Sequence, residues 1–172
     1  MNYSDIKYAD MINGEGIRVS LFVSGCDHAC AGCFNKVSWD ENYGKPFTEA
    51  SEKEIFDYFT KYGHSLRGLS LLGGDPTYPK NIEPLTEFLK RFKEKFPDKD
   101  VWIWSGFTWE EIREDEKKAR LLSYCDVLVD GRFVENLKDI TQKWKGSLNQ
   151  RVLDVKKTMA AGTAVEYKKR PA

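Results

Sequence analysis

A chain of 172 residues, 41% of them hydrophobic and including five Trp and ten Phe, suffices for one domain with an ordinary core. Lys plus Arg and Asp plus Glu both total 27, which excludes the strong positive field of a nonspecific nucleic-acid or anionic-membrane binder, so any partner is recognised locally. No apolar run nears the roughly 18 residues of a spanning helix, and Met1-Asn2-Tyr3-Ser4-Asp5 opens no signal-peptide core, so a cytoplasmic protein is expected.

Residues 6–12 suggest an edge strand, followed by the turn Asn13-Gly14-Glu15-Gly16. Residues 17–24, rich in β-branched and aromatic types, predict a strand that delivers the chain into Gly25-Cys26-Asp27-His28-Ala29-Cys30-Ala31-Gly32-Cys33-Phe34-Asn35. Three of the four cysteines fall in this loop, spaced C-x3-C-x2-C, which in a leaderless chain reads as a metal site rather than disulfides. Three thiolates hold three irons of a cubane 4Fe-4S cluster and leave one iron open to a small molecule, whereas an electron-transfer cluster takes four. His28, expected to be exposed, also completes a formal Cys3His zinc set, which would make the chain a non-catalytic module. Cys125 reads as a core thiol without chemistry.

A polar connector bearing Trp39 and Tyr43 leads to Ser51-Glu52-Lys53-Glu54, a capping box for a helix with Ile55, Phe56 and Phe59 on its apolar stripe. Residues 66–72 predict a buried strand ending in Gly73-Gly74-Asp75-Pro76, where glycines expose backbone to a ligand and proline fixes the exit. A helix follows from about Ile82, with Pro84 in its first turn and a core stripe of Leu85, Phe88, Leu89, Phe92 and Phe96. Residues 100–104 form the next strand, closed by Ser105-Gly106-Phe107. The capping box Thr108-Trp109-Glu110-Glu111 then opens a charged helix toward Leu121-Leu122, with Arg113 to Lys118 as a solvated face. Residues 126–130 give a strand ended by Gly131. Short strands alternating with amphipathic helices imply parallel βαβ units, and right-handed crossovers put all four loops after strands on one rim. Ligands bind at that rim. Four strands plus one or two more make an incomplete barrel at most.

The C-x3-C-x2-C loop with Phe34 behind its last cysteine, followed by Gly73-Gly74-Asp75-Pro76 where a second strand should end, resembles the radical S-adenosylmethionine (SAM) superfamily. The resemblance implies an α/β fold, a partial (βα) barrel with a mostly parallel sheet and an open rim, as a single domain over residues 1–172. It implies a 4Fe-4S cluster on Cys26, Cys30 and Cys33, with SAM on the open iron. Gly73, Gly74 and Asp75 would hold the methionyl amino group, and Gly32, Cys33 and Phe34 would border the adenine. Ser105 and Asp130 would reach the ribose or methionine, or else cap turns.

Residues 13–18, Cys30-Ala31-Gly32-Cys33-Phe34-Asn35, residues 104–108 and 126–133, and Gly146-Ser147-Leu148-Asn149-Gln150-Arg151 resemble more narrowly the activases of the anaerobic (class III) ribonucleotide reductases. That likeness implies one-electron cleavage of SAM to a 5'-deoxyadenosyl radical, which installs a glycyl radical on the reductase, with a low-potential flavodoxin or ferredoxin as electron donor. Asn149, Gln150 and Arg151 would face the reductase or close the site. An activase of another glycyl radical enzyme, of the formate-lyase type, is the nearer alternative, although many of those carry extra cysteine pairs that are missing here. The tail from Lys156, with Lys168-Lys169-Arg170, reads as a solvated basic segment or a partner contact.

Overall fold

The strands β1 (Asn2–Asp10), β2 (Arg18–Val23), β3 (Lys45–Pro46), β4 (Gly68–Gly73), β5 (Asp100–Trp104), β6 (Val127–Asp130) and β7 (Arg151–Asp154) join in one sheet ordered β3-β1-β2-β4-β5-β6-β7. This computed structural model describes residues 1–169; Arg170, Pro171 and Ala172, the end of the expected basic tail, lie outside the described residues. The centre, β2-β4-β5-β6, is parallel, in a register that aligns Arg18 with Gly68 and Gly68 with Asp100. β1 and β7 flank it antiparallel, and the sheet does not close on itself. The helices are α1 (Glu49–Tyr62), α2 (Pro79–Lys95), α3 (Trp109–Arg113), α4 (Glu116–Leu122) and α5 (Val155–Ala161). Among the described residues no helix is long and apolar enough to cross a membrane.

Strand periodicity separates the two faces of the sheet. Val19, Leu21, Val23, Leu69, Leu71, Val101, Ile103 and Leu128 pack with Ile55, Phe59, Leu85, Phe88, Leu89, Phe92, Ile112 and Leu121 of the helices in the main core. On the other face Trp102, Val127 and Val129 are covered by Trp104, Trp144, Val152 and Tyr167. Arg18 also lies on this second face and is fully buried. Its Nη1 is 2.7 Å from Asp100 Oδ1, Nε donates to Ser70 Oγ at 2.7 Å, and Nη2 donates to the Leu69 carbonyl at 2.7 Å. The guanidinium stands 5.3 Å from the Trp102 ring. Ser70 Oγ donates to the Asn13 carbonyl at 2.6 Å, which fastens the Asn13–Gly16 turn beneath the sheet.

Several local expectations are corrected. β1 begins before residue 6 and lies inside the sheet, because β3 pairs with its first residues. The first helix starts a turn early: Thr48 is the N-cap and Ser51 its N3 partner, so the box comes from Thr48-x-x-Ser51. α2 starts at Pro79, where proline's missing N–H costs nothing, and Pro84 is inside the helix. The intrahelical bond that Pro84 cannot make is offset by the buried stripe Ile82, Leu85, Phe88, Leu89 and Phe92. The expected charged helix breaks at Asp115, which caps α4 by accepting from Lys117 N and Lys118 N. β7 was not anticipated at all.

Cys125 is 2% exposed, its Sγ lies 3.7 Å from the Leu121 carbonyl, and burial pushes its thiol well above the ordinary range. Because the thiolate is the nucleophile, iodoacetamide on the native, iron-free protein should label the half-buried Cys30 and Cys33 and leave Cys125 untouched until denaturant is added. Peptide mass spectrometry checks this; early labelling of Cys125 would contradict its burial.

Candidate functional site

The carboxyl ends of β2, β4, β5 and β6 meet around a cavity of about 160 Å³ lined by Cys26, Cys30, Cys33, Gly73, Gly74, Asp75, Ser105 and Gly131. A parallel sheet places strand ends in this way, so residues far apart in sequence share one site. Phe34 stands at the mouth of the cavity, 96% exposed. Asp130 is not in the lining: it is buried below, accepting from Trp109 N at 2.7 Å and from Arg151 Nε at 3.0 Å. A wider groove of about 790 Å³, bordered by Met11, Glu15, Trp144 and Lys169, carries none of the motifs that follow β2, β4, β5 and β6.

The cysteine loop is fastened at both ends. Gly25 N donates to Ser38 O (2.8 Å) and Cys26 N to Trp39 O (3.3 Å), both in a 3-10 turn over Lys36–Trp39, and Cys33 N donates to Cys30 O (3.2 Å). Burial pushes the Cys26 thiol up to about 11, and the His28 backbone N–H directed at its sulfur pulls the other way. Such N–H···S bonds stabilise the thiolate that iron needs.

Asp75 is the hub. Its side chain is 3% exposed. Oδ1 accepts from Thr77 N at 2.7 Å and Thr77 Oγ1 at 2.6 Å, while Oδ2 accepts from Gly106 N at 2.9 Å and Ser105 Oγ at 3.2 Å. His28 Nε2 lies 2.6 Å from the same Oδ2, with its side chain 6% exposed. The His28 side chain is therefore buried, not exposed, because the loop folds back over β4 and brings the ring to the carboxylate. The His28 ring nitrogen is spent on Asp75 and not turned to the three thiols, which disfavours the Cys3His zinc module. A cubane asks something different of the three thiols, each binding its own iron, and thiols gathered on one cavity suit that.

The two glycines have separate reasons. Gly73 has φ +112°, which L side chains rarely adopt. A Cβ on Gly74 would lie 2.5 Å from Gly25 O and 2.9 Å from Ser38 O, so the cysteine loop would have to move. Gly74→Ala is expected to leave the chain folded but push the cysteine loop aside, so that iodoacetamide labels Cys30 and Cys33 of the iron-free protein about tenfold faster than in wild type. A rate within a factor of three of wild type would count against the close fit.

The Gly146–Arg151 segment organises the loop between β6 and β7. Gln150 Oε1 accepts from Gly146 N (2.8 Å) and Ser147 N (3.1 Å), and Nε2 donates to Gly131 O (2.9 Å). Asn149 Nδ2 donates to Arg132 O at 2.8 Å, and Arg151 Nη2 pairs with Asp130 at 2.5 Å and Glu110 at 2.7 Å. Sequence reasoning missed Asn81, whose buried Nδ2 bonds both Ser24 O and Asp75 O at 2.9 Å; an Asn one residue ahead of an apolar helical stripe gives no signal. It also missed Thr77, although a threonine two residues after an aspartate is the pattern of a side chain closing its own turn.

Residues 12–153 match the 4Fe-4S single cluster domain family. The chain is 45% identical over 150 residues to the anaerobic ribonucleoside-triphosphate reductase-activating protein of Pasteurella multocida (strain Pm70), covering 87% of this chain and 95% of that protein. It is 41% identical over 152 residues to the protein of that name from Escherichia coli (strain K12), covering 88% and 97%. The corresponding protein of Enterobacteria phage T4 is 42% identical over 153 residues, covering 88% and 93%.

Proposed function

The chain belongs to the 4Fe-4S single cluster domain family and to that of the anaerobic ribonucleoside-triphosphate reductase-activating proteins, and on that premise we propose that it is the radical SAM activase of an anaerobic ribonucleotide reductase. The observation that carries the reading is the single cavity shared by three thiols and the ends of parallel strands. Bound there, a 4Fe-4S cluster and SAM would supply a one-electron cleavage and a carbon radical able to take hydrogen from a peptide glycine.

The chain's own residues place and shield. Cys26, Cys30 and Cys33 hold three irons. Because Asp75 is fully engaged by the protein's own donors, the methionyl amino group is left to the backbone at Gly73 and Gly74. Phe34, free at the mouth, covers the adenine beside Gly32 and Cys33. Ser105 faces the cavity and serves the ribose, while Asp130 stays outside it, accepting from Trp109 N and pairing with Arg151. Trp39, Trp104 and Phe133 wall the cavity and exclude water that would quench a radical. Gln150 and Asn149 hold the loop that frames the entrance. In this reading the fold is a single-domain partial (βα) barrel, cytoplasmic, with the reductase as partner and a low-potential flavodoxin or ferredoxin as donor.

The test is to reconstitute the protein anaerobically with iron and sulfide, reduce it with dithionite and add SAM. A reduced-cluster EPR signal that changes with SAM, together with 5'-deoxyadenosine, is expected. An EPR-silent protein that makes no 5'-deoxyadenosine would overturn the reading. Adding the reductase and looking for its glycyl radical signal separates this activase from one of the formate-lyase type.

A further inference from the structure

We infer that His28 is a positioning residue, a tether that fixes the middle of the cysteine loop to the ends of β4 and β5 through its bond to Asp75. The inference rests on the cluster reading above and assigns a job to a residue outside the ligand set. Around His28 the loop has little else to hold it. Asp27, Ala29, Ala31 and Gly32 are exposed, and Ala29 has φ +47°, a left-handed conformation that an alanine keeps only when its surroundings impose it. Among the described residues, the 2.6 Å contact of His28 Nε2 with Asp75 Oδ2 is the one hydrogen bond that carries residues 27–29 beyond the cysteine loop; the His28 backbone N–H reaches only the Cys26 sulfur inside it.

The receiving end is built for it. Asp75 is immobilised by Thr77, Ser105 and Gly106 independently of His28. The imidazole meets the Phe107 ring edge-on at 4.5 Å, and a Cβ on Gly106 would lie 2.3 Å from His28 Cδ2, so a glycine at 106 leaves the room the ring occupies. The loop between Cys26 and Cys30 is therefore held from a segment more than forty residues along the chain, in addition to the bonds of Gly25 and Cys26 to Ser38 and Trp39. A loop held this way meets its cluster in a geometry that is already made.

Two variants separate the bond from the packing. His28→Leu fills the pocket beside Phe107 without a donor, and His28→Gln offers a side-chain N–H of similar reach. In the iron-free protein, hydrogen exchange followed by mass spectrometry should show the loop's bonded amides, Gly25, Cys26, His28 and Cys33, exchanging about tenfold faster or more in His28→Leu. Exchange in His28→Gln should stay near wild type, with β2, β4 and α2 unchanged in both. After reconstitution, the change in the EPR spectrum on adding SAM should weaken in His28→Leu and return in His28→Gln. Equal exchange and equal spectra in the two variants would overturn the tether, as would a loss of protection across the whole sheet, which would make the pair a fold-wide support. Should wild-type protein itself show no response to SAM, the activase reading fails while the exchange comparison still decides the tether.

Discussion

Cys26→Ala protein, reconstituted as above, is expected to hold iron only at background level and to make no 5'-deoxyadenosine. Three thiols line the cavity, so losing one leaves two irons without protein ligands, and no neighbouring donor replaces it: His28 is turned to Asp75. The chain itself should fold normally. Alanine keeps the backbone bond from residue 26 to Trp39 O, and the position is only half-buried. Cys125→Ala is the control, expected to keep cluster and turnover because that thiol is enclosed in the core between α4 and β6. Iron analysis and product chromatography read both; 5'-deoxyadenosine from Cys26→Ala would remove this thiol from the ligand set.

Arg18→Met is expected to lower the unfolding free energy by about 3–5 kcal/mol, a large share of the roughly 5–15 kcal/mol that holds a typical domain. Burial pulls the Arg18 guanidinium down from its ordinary range, and Asp100, 2.7 Å away, opposes this. Methionine fills much of the volume but leaves Asp100, 5% exposed, with only the Arg67 Nε contact at 3.1 Å. The Ser70 and Leu69 partners lose their donor as well. A paired change, Arg18→Met with Asp100→Asn, should recover part of the loss because the uncompensated carboxylate goes too. Urea unfolding followed by fluorescence measures both; a single-variant loss below about 1 kcal/mol would show that the pair contributes little.

What the sequence disclosed and what it hid follow from how each feature is encoded. β2, β4, β5 and β6 are short, mostly apolar stretches buried on both faces, with Arg18, Ser20 and Ser70 among the polar exceptions, and their order with intervening helices gave the parallel centre and the shared rim. The start of α1 is misplaced because Ser51-x-x-Glu54 fits the usual capping box, whereas the box observed, Thr48-x-x-Ser51, carries Ser where Glu or Gln is the usual signal. β7 escaped notice because Arg151-Val152-Leu153-Asp154 is too short for a period to show. Within the site the cysteines and glycines announced themselves by type and spacing. The turning of His28 toward Asp75, and the role of Asn81 in tying Ser24 to Asp75, depend on pairings across more than forty residues that no local pattern contains.

The bonds that hold the cysteine loop also fix an order of events. The three thiols sit within eight residues of one another, and Ser38 and Trp39 hold the loop locally, yet two further anchors, Asp75 and Asn81, are reached only when β2 has paired with β4 across some fifty intervening residues. Parallel pairings of that span close slowly, since the chain entropy is lost before the contacts form. On the proposed reading, the three-thiol seat for the cluster is consequently a late product of chain collapse. Iron that arrives on the nascent polypeptide meets an unshaped thiol cluster; iron that arrives afterwards meets a finished one.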